Sequence, residues 1–432
     1  MTEKYVPSPE VVEQGLYVAY AALSTMAVVP IYFGSFAALK KWKNPKDKKS
    51  KKKKAEDTDD SDDEEETTES MSMEDAYMFP VFGSITLFGL YLVFRYVDKT
   101  YINYLLTAYF GLLGVMATTQ VGVNCVAPIV KLVGIKLDKW HLTLTKKKAE
   151  LYSAKFTYLH LIMMVASILL SGYYVATKNW IASNIFGICF ALNAIQLLSL
   201  DSFKTGMILL SGLFLYDIFW VFGTEVMVSV AKNFDAPVKV IFPRLFFGLP
   251  AGEPYQFAML GLGDIVIPGV FVALCLRFDQ HLAGTKNPNL GRSTRFSKPY
   301  FIACFIAYAL GLGTTIYVMH TFKAAQPALL YLSPACILSV LFMALARGEI
   351  KEVFAYTSEE GTEAAKAKEE EEKKNKKAAE EKKGKNEKNE KIEESTKIEP
   401  VAAEKVGSDS DQDSSNTPKI RKRKGGKAQK KK

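Results

Sequence analysis

Nine stretches of this chain are long and apolar enough to cross a bilayer, and that recurrence leaves few choices for its fold. A helix of about 20 apolar residues, rising 1.5 Å per residue, covers the roughly 30 Å hydrocarbon core of a membrane. Runs of that length fall at residues 15–39, 76–97, 101–133, 157–177, 180–200, 205–230, 256–276, 300–322 and 326–346. The chain therefore reads as an all-α polytopic membrane protein. Its parts are a short N-terminal segment at 1–14, a first span at 15–39, a charged loop at 40–75, spans two to five within 76–204, spans six to nine within 205–346, and a charged tail at 347–432.

Charge then sets the expected orientation. The composition, 49% hydrophobic with 23% charged residues, averages two populations: lipid-soluble spans and highly charged connectors. The net charge of +9 comes largely from Lys40–Lys54, Lys136–Lys155 and Arg421–Lys432. These blocks lie beside spans or at the chain end, which marks topology and solvation and not a nucleic-acid footprint. Basic residues concentrate in the loops after spans one, three and seven, the last with Arg277, Lys286, Arg292, Arg295 and Lys298, so those loops are expected in the cytosol. It follows that the N-terminus faces the lumen and the C-terminus the cytosol. The first span is longer than a signal-peptide core and lacks a small-residue cleavage pattern, as for an uncleaved anchor. Asn44–Ser72 and the chain after Thr357 are charged, poor in aromatics and expected to be disordered. Cys125, Cys189, Cys275, Cys304 and Cys336 are scattered singly and read as small buried hydrophobes, not disulfide partners or metal ligands.

Against this background two carboxylates stand out. Asp217 lies in LLSGLFLYDIFWVFGTEVMVSV and Asp264 in FAMLGLGDIVIPGVFVALCL. A charge at the centre of a spanning helix costs roughly 2.5–3.5 kcal/mol on insertion scales, and such residues are functional by default. Each sits about twelve residues from the expected cytosolic end of its span, hence on the order of 18 Å deep, so the two can meet across adjacent antiparallel spans. Two carboxylates at close range in low dielectric share one proton and titrate as a unit. One can then act as base and the other as acid on a water attacking a carbonyl, without metal or other cofactor.

Neighbouring residues extend the candidate site. Gly261 and Gly263 flank Leu262 just before Asp264 and remove side chains where a substrate backbone would approach, although glycines also serve as packing faces in spanning helices. Tyr216 precedes Asp217 as a hydrogen-bond donor or pocket wall, or as a packed aromatic. Gln326-Pro327-Ala328-Leu329 opens span nine, where proline lacks an amide hydrogen and holds Gln326 out of helical geometry; proline in a first turn is also ordinary. Glu225, eight residues past Asp217, is expected about 80° around the same helix. Gln120, Asn124, Asn193 and Gln196 suit interhelical hydrogen bonds. His160 and His320 lie near span ends, while His141 and His281 are expected in cytosolic loops, and no metal site can be assembled from them.

Tyr216-Asp217, Gly261-Leu262-Gly263-Asp264 and Pro327-Ala328-Leu329 together resemble the YD, GxGD and PAL signatures of the presenilin-type intramembrane aspartyl proteases. The surrounding text over about 76–350 is similar to the signal peptide peptidase branch. That resemblance implies a nine-helix presenilin-like fold with Asp217 and Asp264 as the catalytic pair. It also implies that Tyr216, Gly261, Leu262, Gly263, Gln326, Pro327, Ala328 and Leu329 bind substrate. The implied substrates are remnant signal peptides and type II or tail-anchored membrane helices in the endoplasmic reticulum. Homo-oligomers and the degradation machinery of that membrane are the implied partners. One departure concerns residence: in the terminal KAQKKK only Lys430 occupies a position of a dilysine retrieval signal. Two other classes remain open at this stage. A proton-coupled transporter also uses membrane carboxylates but usually shows inverted repeats, and none is visible here. A non-catalytic chaperone for membrane helices would not need both aspartates.

Overall fold

The computed structural model describes residues 9–40, 69–134, 139–146, 149–233, 236–245, 255–287, 295–322, 326–358 and 361. Most of the charged loop and nearly all of the tail, for which disorder is expected, lie outside the described residues. The order of elements is α1 (Pro9–Ala37), β1 (Glu69–Met71), α2 (Met73–Tyr96), α3 (Lys99–Leu132), β2 (Lys139–Lys146), β3 (Ala149–Thr157), α4 (Tyr158–Thr177) and α5 (Trp180–Leu197). There follow β4 (Leu198–Leu200), α6 (Phe203–Asp217) with a π-helical continuation Ile218–Phe222, α7 (Val226–Asn233), β5 (Lys239–Pro243), β6 (Phe257–Gly261), α8 (Gly263–Lys286), α9 (Pro299–Phe322), α10 (Leu329–Arg347) and α11 (Ile350–Ala355). Among the described residues nine helices are long and apolar enough to span a membrane, and they fall on the nine expected runs.

Four local expectations need correction. Short strands join the helices: β1 pairs in parallel with β4, while β2–β3 and β5–β6 are antiparallel. Glu69–Met71 and the start of α2 thus lie in what the sequence assigns to the loop at 40–75. Span six does not run to residue 230. After the π-helical turn the chain breaks at Gly223, and Glu225, exposed, is not on the helix that carries Asp217. Glycine costs a helix interior about 1 kcal/mol relative to alanine, enough to end it beside a polar pair.

Span seven is shifted along the chain. Residues 257–261 form β6, and the Leu262 amide bonds the Val238 carbonyl at 2.9 Å, so the backbone stays extended up to Gly263. The helix then continues past the expected end at 276, because the polar residues there are housed within the bundle. The Asp279 carboxylate accepts from the Tyr300 and Phe301 amides at 3.3 and 2.8 Å, capping α9 from a neighbouring helix, and Gln280 Nε2 donates to the Lys40 carbonyl at 2.9 Å. Arg277 and His281 are therefore helical, not in a loop, and Arg277 is only 7% exposed. The cysteines divide too. Cys125 is exposed, whereas Cys275, Cys304 and Cys336 are fully buried, with Cys304 Sγ 4.0 Å from the Cys336 carbonyl.

The core gathers around α8, whose residues from Val270 to Leu276 are all at most 5% exposed. Ile31 of α1 and Ile195 of α5 meet over Gly269, and α6 runs antiparallel along another face, with the Phe203 ring 6.0 Å from that of Phe271 and 5.3 Å from that of Phe278. Gly206 permits this approach, since a Cβ there would lie 2.6 Å from the Phe271 ring. After α11 the chain returns to the α6–α8 pair: the Tyr356 ring packs tilted against Phe203 and edge-on against Phe278 and His281, and Thr357 bridges to Ser202. Expected polar contacts between helices are present as well, for example Asn193 Nδ2 to the Ala117 carbonyl at 3.0 Å.

Candidate active site

The Phe203–Phe278 contact fixes the relative depth of the two aspartates. Asp217 lies fourteen residues beyond Phe203 on α6, and Asp264 fourteen residues before Phe278 on the antiparallel α8. At 1.5 Å per residue both stand about 21 Å above the shared aromatic layer. The two aspartates therefore stand at one level on neighbouring helices. Asp217 is 5% exposed and closes the regular part of α6, where the helix widens into its π-helical turn. Such turns are rare and recur at functional sites because they rotate the side chains that follow.

Asp264 occupies a different local setting. It stands in the first turn of α8, delivered by β6, and is half-buried. Gly261 leaves space beside it: a Cβ at that position would come 3.4 Å from Asp264 Oδ2. Leu262 turns away and packs against Gly187 of α5. Gly263 borders an apolar cavity of about 210 Å³, lined also by Met71, Phe79, Leu198, Leu209 and Val266, which has room for an aliphatic or aromatic side chain next to Asp264.

The segment opening span nine meets the pair from a third side. Pro327, Ala328 and Leu329 are buried, Gln326 half-buried, and α10 begins at Leu329. The first amides of a helix have no intrahelical acceptor. Those of α10 open where the helix packs against α6, which carries Asp217. Tyr216 instead lies with its ring 3.6 Å from the Cβ position of Gly83 on α2 and 6.3 Å from the ring of Trp220, as a wall beside Asp217. The structure thus brings Asp217, Asp264, Gly261, Gly263 and Leu329 together, and places Tyr216 and Leu262 at the margin.

Tyr308 of α9 is a residue that sequence reasoning missed. It is fully buried, and its hydroxyl donates to the Asp264 backbone carbonyl at 3.3 Å. An aromatic within an apolar run carries no signal that separates such a contact from plain packing. Asn184, discussed below, is a second omission.

With this geometry in place, comparison with known proteins assigns the family. The family model described as signal peptide peptidase matches residues 63–360. The chain belongs to the signal peptide peptidase family. It is similar to human signal peptide peptidase, 40% identical over 381 residues, which cover 83% of this chain and 92% of that protein. A probable intramembrane protease of Schizosaccharomyces pombe is 39% identical over 286 residues, covering 66% of this chain and 83% of the relative. Intramembrane protease 2 of Caenorhabditis elegans is 47% identical over 199 residues, 45% of this chain and 42% of the relative. Membership carries the broad activity, proteolysis within a membrane by a multi-pass protein, and all three sequence signatures fall inside the matched region.

Proposed function

We propose that the chain is an intramembrane aspartic endopeptidase in which Asp217 and Asp264 share a proton and activate a water against a peptide carbonyl. One carboxylate takes the proton of the attacking water while the other protonates or hydrogen-bonds the carbonyl oxygen. The observation that carries this reading is the equal height of the two aspartates on antiparallel helices. One buried and one half-buried carboxylate, with no salt bridge to either among the described residues, have no structural need to be there, and chemistry supplies one.

The substrates are helices of type II orientation, chiefly signal-peptide remnants in the endoplasmic reticulum membrane, with tail-anchored proteins and clients of membrane-protein degradation beside them. A helix shields its peptide bonds, so the segment to be cut unwinds and lies extended against backbone near Gly261, with an apolar side chain entering the cavity by Gly263. Loop charge supports a lumenal N-terminus, which runs span six from cytosol to lumen. An asymmetric site of that hand accepts a chain whose N-terminus is cytosolic. The protein acts as a homo-oligomer.

The test is incubation of the purified chain in detergent with a synthetic signal peptide, followed by mass spectrometry. The expected result is cutting within the apolar core, abolished by Asp217→Ala and by Asp264→Ala with helix content unchanged, because a catalytic pair works as a unit. Substantial cleavage by either variant would refute the assignment, and so would wild-type-like performance of both in a cell-based clearance assay without cleavage, the outcome for a chaperone.

A further inference from the structure

The strand pair that delivers Asp264 has one edge closed and one open. Leu262 donates to Val238 and Arg244 to Gln256, at 2.9 and 2.7 Å, so the bonded pairs of the β5–β6 ladder are Val238–Leu262, Val240–Leu260, Phe242–Ala258 and Arg244–Gln256. Bonded and non-bonded pairs alternate in an antiparallel ladder. Lys239, Ile241 and Pro243 on β5 therefore turn their backbone groups outward, as do Phe257, Met259 and Gly261 on β6.

The two edges are treated differently. On β5, Pro243 has no amide hydrogen, and Ile241 is held twice by the side chain of Asn184 on α5: Nδ2 donates to its carbonyl at 2.6 Å, and its amide donates to Oδ1 at 2.9 Å. Asn184 is 5% exposed. A carboxamide carries a donor and an acceptor side by side, the pattern a neighbouring strand would present. On β6, no described residue bonds the outward groups of Phe257, Met259 or Gly261, and Met259 is 52% exposed. The open edge runs straight into Asp264.

We infer that Asn184 is a positioning residue for proteolysis: it fills the β5 edge in place of a strand, so that an unwound substrate can add only along β6 and in the register that presents one peptide bond to Asp264. This rests on the aspartic reading above. An unfilled edge would offer a second pairing surface and free the hairpin to slide.

The experiment uses the full chain, a synthetic signal peptide and mass spectrometry of its products. Asn184→Asp keeps the acceptor for the Ile241 amide but sets a carboxylate oxygen against the Ile241 carbonyl; Asn184→Leu removes both partners. Each is expected to spread cleavage over several adjacent bonds and to lower kcat/KM by about tenfold or more, the effect of leaving a buried backbone group unpaired. An unchanged cut position and kcat/KM in a folded variant would overturn the inference. A second measurement does not depend on how the variants fold. Peptides N-methylated at single successive residues should be cut slowly by the parent at every second position, since only alternate amides face β6. Absence of that alternation would also overturn it. Cleavage surviving in Asp264→Ala would instead sink the aspartic reading, so the two failures are told apart.

Discussion

Replacing Gly206 by alanine should separate the two aspartate helices. The added Cβ would stand 2.6 Å from Phe271 Cδ2, 2.9 Å from Phe271 Cε2 and 3.1 Å from Leu200 Cδ1. Carbon atoms rest at about 3.5–4.0 Å, so α6 and α8 must part by about 1 Å or Phe271 must turn. Turning is blocked, because the ring is fully buried and lies against Phe203. Overpacking of this kind costs about 1–3 kcal/mol of stability. A displacement of about 1 Å between reacting groups costs on the order of 100-fold in rate. The expected outcome is a loss of about two orders of magnitude in kcat for a synthetic signal peptide in detergent, with a modest drop in thermal midpoint. Adding Phe271→Leu should return most of the activity by making room. Gly89→Ala, where nothing lies within 4 Å of the new atom, serves as control and should be silent. Full activity in Gly206→Ala, or failure of Phe271→Leu to restore any, would show that this contact does not set the spacing of the pair.

Other outcomes can be checked with the same preparation. Tyr308→Phe removes the hydroxyl bonded to the Asp264 carbonyl and should lower kcat by about 2- to 10-fold, the value of one neutral hydrogen bond, leaving KM unchanged; a loss beyond 100-fold would mean that the hydroxyl meets the substrate. Arg277→Met should be at least as stable as the parent in a thermal scan, because Arg277 Nε and Nη2 are buried without hydrogen-bond partners among the described residues; a clear loss of stability would reveal an anion held there. Two reporters carrying one apolar helix in opposite orientations should differ in Asp264-dependent loss, the one with a cytosolic N-terminus being cut. The reverse preference would refute the orientation read from the loop charges.

The nine spans and the aspartate pair were legible in the sequence because both depend on contrasts that a single chain displays: apolar length against charged connectors, and a carboxylate where none is tolerated without cause. The mutual height of Asp217 and Asp264 was approachable for the same reason, since antiparallel neighbours share a depth scale. The ends of span seven were not. Hydropathy treats Arg277, Asp279 and Gln280 as a stop, whereas Asp279 caps a neighbouring helix and Gln280 bonds a neighbouring carbonyl, contacts made across the bundle. Strands β5 and β6 were hidden for a related reason. Five residues each, they depend on one another and on the Asn184 side chain, 57 positions from Ile241. No local pattern marks an asparagine that bonds a strand or a tyrosine that holds a carbonyl.

Asp279 has a bearing on how this region can be altered. Because a carboxylate on α8 holds the first amides of α9, the alignment of these two helices is written into a cross-helix bond as well as into the order of the chain. The helix behind Asp264 is thereby kept in step with its neighbour by one side chain, and a change at Asp279 would loosen the scaffold of the site from a place far along the helix from the aspartate itself.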